Sequence, residues 1–147
     1  MTSSTAEVSI VVDASPARVW RALTEPDQVR QYFLGAVVAT DWVVGHPITF
    51  TGEWDGTRFE DHGQILECDP GTRLAYTHWS PLSATADVPE NYHVVDIALA
   101  PLSDGTLVTL TQSNLTGEIT DADRASRDDY ERNWSTVLGG LKDTAES

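Results

Sequence analysis

Residues 120–142, Thr120-Asp121-Ala122-Asp123-Arg124-Ala125-Ser126-Arg127-Asp128-Asp129-Tyr130-Glu131-Arg132-Asn133-Trp134-Ser135-Thr136-Val137-Leu138-Gly139-Gly140-Leu141-Lys142, decide how this chain folds. Tyr130, Trp134, Val137, Leu138 and Leu141 recur on one helical face, and Arg124, Asp128, Glu131 and Arg132 take the other side. Thr120 can accept an orphan backbone N–H as N-cap, and Asp121 and Asp123 fall in the first turn, where the helix dipole favours negative charge. The pattern predicts one long helix from Asp121 to Lys142. Its apolar stripe needs a cover, and only a sheet is large enough to supply one.

The sheet is expected immediately upstream. Strands are read near 36–41, 47–54, 58–68, 72–79, 91–100 and 106–114, each rich in β-branched or aromatic residues. The turn signals Val44-Gly45, Asp55-Gly56, Asp69-Pro70-Gly71 and Asp104-Gly105 separate them. Strands joined by short turns pair antiparallel, so the six form a meander. Ser80–Glu90 is the exception, a long loop with Pro81 and Pro89, of a length that often carries function. Further upstream, Glu7–Asp13 alternates with Val8, Ile10 and Val12 on one side, which predicts another strand. Ser15 is a good N-cap and Pro16 suits the first helical position, so a short helix should run to about Thr24 with Val19, Trp20 and Leu23 on one face. Pro26 breaks it, and a second short helix is expected over 26–33. No repeat or linker is visible, which makes residues 1–147 a single α+β domain: about seven antiparallel strands, curved around the C-terminal helix, with two short helices after the first strand.

These pieces, in this order, resemble the START-related (SRPBCC) superfamily, and within it the branch named after the activator of the heat-shock protein 90 ATPase. The resemblance rests on Ser15-Pro16-Ala17-Arg18-Val19-Trp20-Arg21-Ala22-Leu23-Thr24 and on Trp42-x-x-Gly45 before a strand. It rests also on Gly63-Gln64-Ile65-Leu66-Glu67-Cys68-Asp69-Pro70 followed by Arg73-Leu74-Ala75-Tyr76-Thr77. Gly105-Thr106-x-Val108-Thr109-Leu110-Thr111 and Trp134-x-x-Val137-Leu138-x-x-Leu141-Lys142 complete it. It covers nearly the whole chain and implies a helix-grip fold, usually with a cavity between sheet and helix. The fold hosts lipid carriers, hormone receptors, polyketide cyclases and cochaperone domains, so it does not fix an activity.

Composition bounds the partners. A chain of 147 residues buries roughly 68–70% of its unfolded surface, enough for a core without staples. Nine Lys and Arg against 23 Asp and Glu give a formal net charge of −14, a field that repels a phosphate backbone and an anionic membrane surface alike. Nucleic acid is therefore excluded as a partner. The single cysteine, Cys68, permits no internal disulfide; beside Asp69, with only Arg73 as a nearby cation, it is expected to be an inert thiol. Met1–Glu7 has no basic cluster or following apolar segment, and no stretch approaches the roughly 20 apolar residues of a membrane span. A cytoplasmic location and no membrane insertion are expected.

Reactive groups are harder to find. No Gly-x-Ser-x-Gly, phosphate-cradling loop or dinucleotide fingerprint occurs, and no cofactor is expected. The histidines are His46, His62, His78 and His93. Pairing about Pro70-Gly71 sets residue 63 opposite 78, and the loop centred near Thr85 brings His78 toward Tyr92 and His93. Three histidines could share a row, but a one-residue slip would turn them to opposite faces. No metal site is expected, since no Cys or Asp pairing supplies the remaining ligands.

The aromatic inventory points to a pocket, since small-molecule sites are mostly apolar with a few polar groups. The candidate lining is Trp54, Phe59, Tyr76, His78, Trp79, Tyr92, Tyr130, Trp134 and Leu138. The first reading is binding of a small hydrophobic or aromatic molecule, with loops Ser80–Glu90 and Leu115–Thr120 gating it. The alternative is an enzyme of cyclase, dehydratase or hydrolase type, using His78, Tyr76 or Asp96 as acid or base. A cochaperone-like module ranks last, because the resembled activator carries a separate domain ahead of this fold and 147 residues leave no room for one. A homodimer is left open.

Overall fold

A computed structural model describes residues 4–33, 35–83 and 85–147; the side chains of Ser4 and Trp54 are outside the described residues. Strand β1 (Ser4–Val12) is followed by helices α1 (Pro16–Thr24) and α2 (Pro26–Tyr32). Strands β2 (Val37–Ala39), β3 (Pro47–Trp54), β4 (Thr57–Asp69), β5 (Arg73–His78), β6 (His93–Leu102) and β7 (Gly105–Asn114) follow, and helix α3 (Asp121–Glu146) ends the chain. The seven strands form one antiparallel sheet in the order β1-β7-β6-β5-β4-β3-β2.

Helices α1 and α3 start where side chains can satisfy the first free N–H groups. The Ser15 hydroxyl accepts from Arg18 N at 3.2 Å, and Pro16 needs no partner at the first helical position. Thr120 and Asp123 form a capping box at the start of α3, each side chain accepting from the other's backbone N–H. The stripe then buries Trp134, Val137, Leu138 and Leu141. Complete burial of a leucine side chain contributes about 1.5–3 kcal/mol, so Leu138 and Leu141 alone fix the helix on the sheet. Helix α3 runs past Lys142 to Glu146 because Thr144 and Ala145 are also buried, and Arg18 Nη2 donates to the Thr144 carbonyl at 2.8 Å.

The register decides which residues can face α3. The pairs Ile65↔Tyr76 and His62↔Trp79 carry the expected pairing of β4 with β5, and a bulge shifts it nearer the turn, to Glu67↔Ala75. His78 pairs with His93 across β5 and β6, so these two share one face. His62 pairs with Trp79 and belongs to the opposite face, so the three-histidine row does not form. On the helix side, Ile48, Phe50, Ile65, Leu74, Tyr76, Val95, Ile97, Val108 and Leu110 are buried in one continuous core. Among the described residues no helix is long and apolar enough to cross a membrane.

Candidate functional site

At the end of the sheet where β5 meets β6, the core opens into a cavity of about 980 Å3 between the sheet and the N-terminal half of α3. Phe33, Phe59, Tyr130, Trp134 and Val137 supply apolar wall, and the loop after β5 adds Leu82 and the rim residues Ser83, Thr85 and Asn91. Gly52 makes room for Phe59: a Cβ there would lie 2.8 Å from the edge of its ring. Phe33 stacks on Phe50 with ring centres 4.8 Å apart and meets Trp134 edge-on at 6.0 Å. Trp134 Nε1 donates to Gln112 Oε1 at 2.7 Å, and Gln112 Nε2 donates to Thr5 Oγ1 at 3.0 Å.

One side of the cavity is polar. The Nε2 atom of His78 donates to Asp61 Oδ2 at 2.9 Å, and His93 Nε2 donates to Asp123 Oδ1 at 3.2 Å. These histidines are adjacent across β5 and β6, which places two imidazole–carboxylate pairs side by side. Asp123 also accepts from Asn114 Nδ2 at 2.6 Å and from the Thr120 hydroxyl at 2.8 Å, while Tyr130 donates its hydroxyl to Asp123 Oδ1 at 3.3 Å. Burial would raise the Asp123 carboxyl, but hydrogen bonds from Asn114, Thr120 and His93 outweigh it and hold the group at about 2. Burial first, and then the Asp123 charge, push Tyr130 up, so its hydroxyl stays a donor.

The Asp123 shift has a measurable consequence. Because its folded value lies below the ordinary 3.8, Asp123 adds stability above about pH 4 that disappears as pH falls toward 2. Asp123→Asn should lower the melting temperature at pH 7 and flatten the pH dependence between pH 4 and 2. Thermal melts of both proteins across that range check this; an unchanged slope would rule the contribution out.

Of the residues expected from sequence, Phe59, His78, Tyr130 and Trp134 line the cavity together, and Trp79, whose ring packs with His62 and Tyr92, reaches its edge. Tyr76 and Leu138 are buried in the packed core beneath it, and burial drives the Tyr76 hydroxyl well above its ordinary value. Tyr92 lies on the other face of the sheet, where strand alternation puts the neighbour of His93. There its ring packs with Trp79 and His62, and its hydroxyl donates to Asp87 Oδ1 at 2.5 Å. Burial and the Asp87 hydrogen bond push Tyr92 up to about 12. His62 Nε2 donates to Asp87 as well, at 2.9 Å, so Asp87 ties the long loop to the outer face. The side chain of Trp54 lies outside the described residues.

Asp96, a candidate acid or base, pairs with Ala75 on the outer face and forms an ion pair with Arg73, away from the cavity. It stands between Val95 and Ile97, both buried on the helix side, so alternation turns it outward. Cys68 is raised by burial and by the Asp69 charge, which suppresses its thiolate. Sequence reasoning missed Phe33, Asp61 and Gln112 and read Asp123 only as a helix-dipole residue. The alternation of Asp61 with Phe59 in β4 was the available signal. Among the described residues no group of three or more His, Cys, Asp or Glu side chains is placed to hold a metal ion.

Comparison with curated proteins gives no match. Among solved structures, the solution structure of ChR145 from Cytophaga hutchinsonii is 41% identical, covering 96% of this chain and 92% of that one with a TM-score of 0.76. The Aha1 dimer from Colwellia psychrerythraea is 22% identical over 95% of this chain and 94% of that one, with a TM-score of 0.69. DynU16, a protein of the dynemicin biosynthetic locus, is 20% identical over 97% of this chain but only 47% of its own length, with a TM-score of 0.77. The last two are likenesses of fold. The family described as Activator of Hsp90 ATPase homolog 1-like protein matches residues 13–146, and with nearly the whole chain matched, this protein belongs to that family.

Proposed function

We propose that the protein binds a small, largely apolar or aromatic molecule in the cavity between the sheet and α3. The observation that carries this reading is the cavity itself: about 980 Å3, walled by Phe33, Phe59, Tyr130, Trp134 and Val137, with polar groups concentrated on one side. That volume is in the range of drug-sized ligand sites, and the division into apolar wall and polar side is their usual composition. The Ser80–Glu90 loop, whose residues form part of the rim, would gate entry, with 115–120 opposite it. One neighbour of the same fold supports a small-molecule role: DynU16, a protein of the dynemicin biosynthetic locus. A homodimer is part of the proposal, supported by the dimeric Aha1 protein of the same fold. A cytoplasmic location is proposed from the lone Cys68.

Native mass spectrometry of the purified protein tests the reading and gives subunit stoichiometry in the same spectrum. A stoichiometric apolar adduct, extracted and identified, is the expected result. Protein that stays empty after refolding with a library of aromatic and acyl compounds would sink the binding role and turn the search to protein partners. A compound released in chemically altered form would move the assignment to catalysis at His78.

A further inference from the structure

The charges around the cavity restrict what can occupy it. Asp61, Glu90 and Asp123 line it, together with His78 and His93, and among the described residues no lysine or arginine does. A carboxylate or phosphate entering this space would meet three acidic side chains and no permanent cation, in a setting where water screens poorly. Anionic ligands are therefore disfavoured, however apolar the rest of the molecule.

The hydrogen-bonding inventory points the same way. Asp61 is 6% exposed, and its Oδ1 is a buried acceptor with no hydrogen-bond partner among the described residues, while Oδ2 accepts the hydrogen bond from His78 Nε2–H. A buried carboxylate oxygen without a donor is costly, and a ligand that supplies one recovers that cost. Both histidines commit Nε2–H to a carboxylate, so in the neutral ring the remaining nitrogen, Nδ1, is an acceptor too. The polar side thus presents acceptors and negative charge, while Phe59, Tyr130 and Trp134 add aromatic rings to the lining, a surface that favours a cation. Resting on the cavity reading above, we infer that the occupant is an apolar amine: an aromatic or alicyclic body carrying a protonated nitrogen directed to Asp61.

Four naphthalene probes of nearly equal size separate the terms: 2-methylnaphthalene, 2-naphthylmethanol, 2-naphthylmethylamine and 2-naphthoate. Calorimetric or fluorescence titration in 0.15 M salt, where exposed charges beyond about 8 Å are screened, limits the general attraction of the acidic surface. The amine should bind at least tenfold tighter than 2-methylnaphthalene, the alcohol should fall between them, and the carboxylate should bind at least tenfold more weakly than 2-methylnaphthalene. Asp61→Asn should reduce the ratio of amine to 2-methylnaphthalene affinity at least fivefold; the wild-type series decides the question even if that variant fails to fold. Naphthoate binding as tightly as the amine would overturn the inference and leave the cavity reading intact. Equal affinity for the amine and 2-methylnaphthalene would do the same. Failure of all four to bind would overturn both.

Discussion

Trp134→Ala is expected to lower stability by about 3–5 kcal/mol, the usual range for deleting a large buried aromatic side chain, and to weaken binding of any apolar occupant at least tenfold. The indole is 9% exposed and sits where packed core gives way to cavity, edge-on to Phe33. Truncation removes that wall and also leaves Gln112 Oε1 without its donor, a buried acceptor loss of about 1–3 kcal/mol. Trp134→Phe separates the two effects. It keeps an aromatic wall while losing the hydrogen bond and part of the ring, so it should cost about 1–3 kcal/mol, less than alanine, and retain most of the affinity. Urea unfolding and titration with 2-methylnaphthalene measure both quantities. An alanine variant within about 1 kcal/mol of wild type would show that the indole is not part of the supporting wall.

Gly63→Ala should be at least as damaging, for a reason confined to the backbone. A Cβ at Gly63 would lie 1.6 Å from the Thr77 carbonyl oxygen, a separation no relaxation of a side chain can relieve. The strands themselves would have to part. They are tied here by a side chain as well: the Gln64 N–H donates to the Thr77 hydroxyl at 2.8 Å. A loss above about 4 kcal/mol is expected, with poor recovery of folded protein. Thermal melting decides it: a variant that melts within about 3 °C of wild type would mean that β4 and β5 do not approach so closely.

The sequence made the frame legible because local chemistry and long-range packing agree there. The Thr120 cap, the stripe from Tyr130 to Leu141 and the Asp69-Pro70-Gly71 turn each have one sensible reading, and each is realised. Site residues were harder because a single sheet position decides inside from outside. Tyr92 and His93 are consecutive, so only one of them can face α3, and Val94 gives no apolar contrast that says which. Asp96 was open to better reading, since buried neighbours on both sides force it outward. Asp61 escaped notice because its meaning depends on His78, a partner supplied by another strand. Its pairing with Phe50 on β3 likewise depends on the register of the sheet.

The pairing of β1 with β7 sets an order of events for a chain made from its N-terminus. Ser4 meets Ser113 and Val12 meets Thr106, so the strand synthesised first has the strand synthesised last as its sheet partner. Until residue 114 has emerged, the first strand can be only partly paired, with the apolar side chains of Val8, Ile10 and Val12 lacking the cover that α3 later provides. An unpaired strand with an apolar face is a template for neighbouring chains. Translation therefore passes through an interval, about a hundred residues long by sequence separation, in which the nascent protein is most exposed to misassembly. Completion of the final helix ends it.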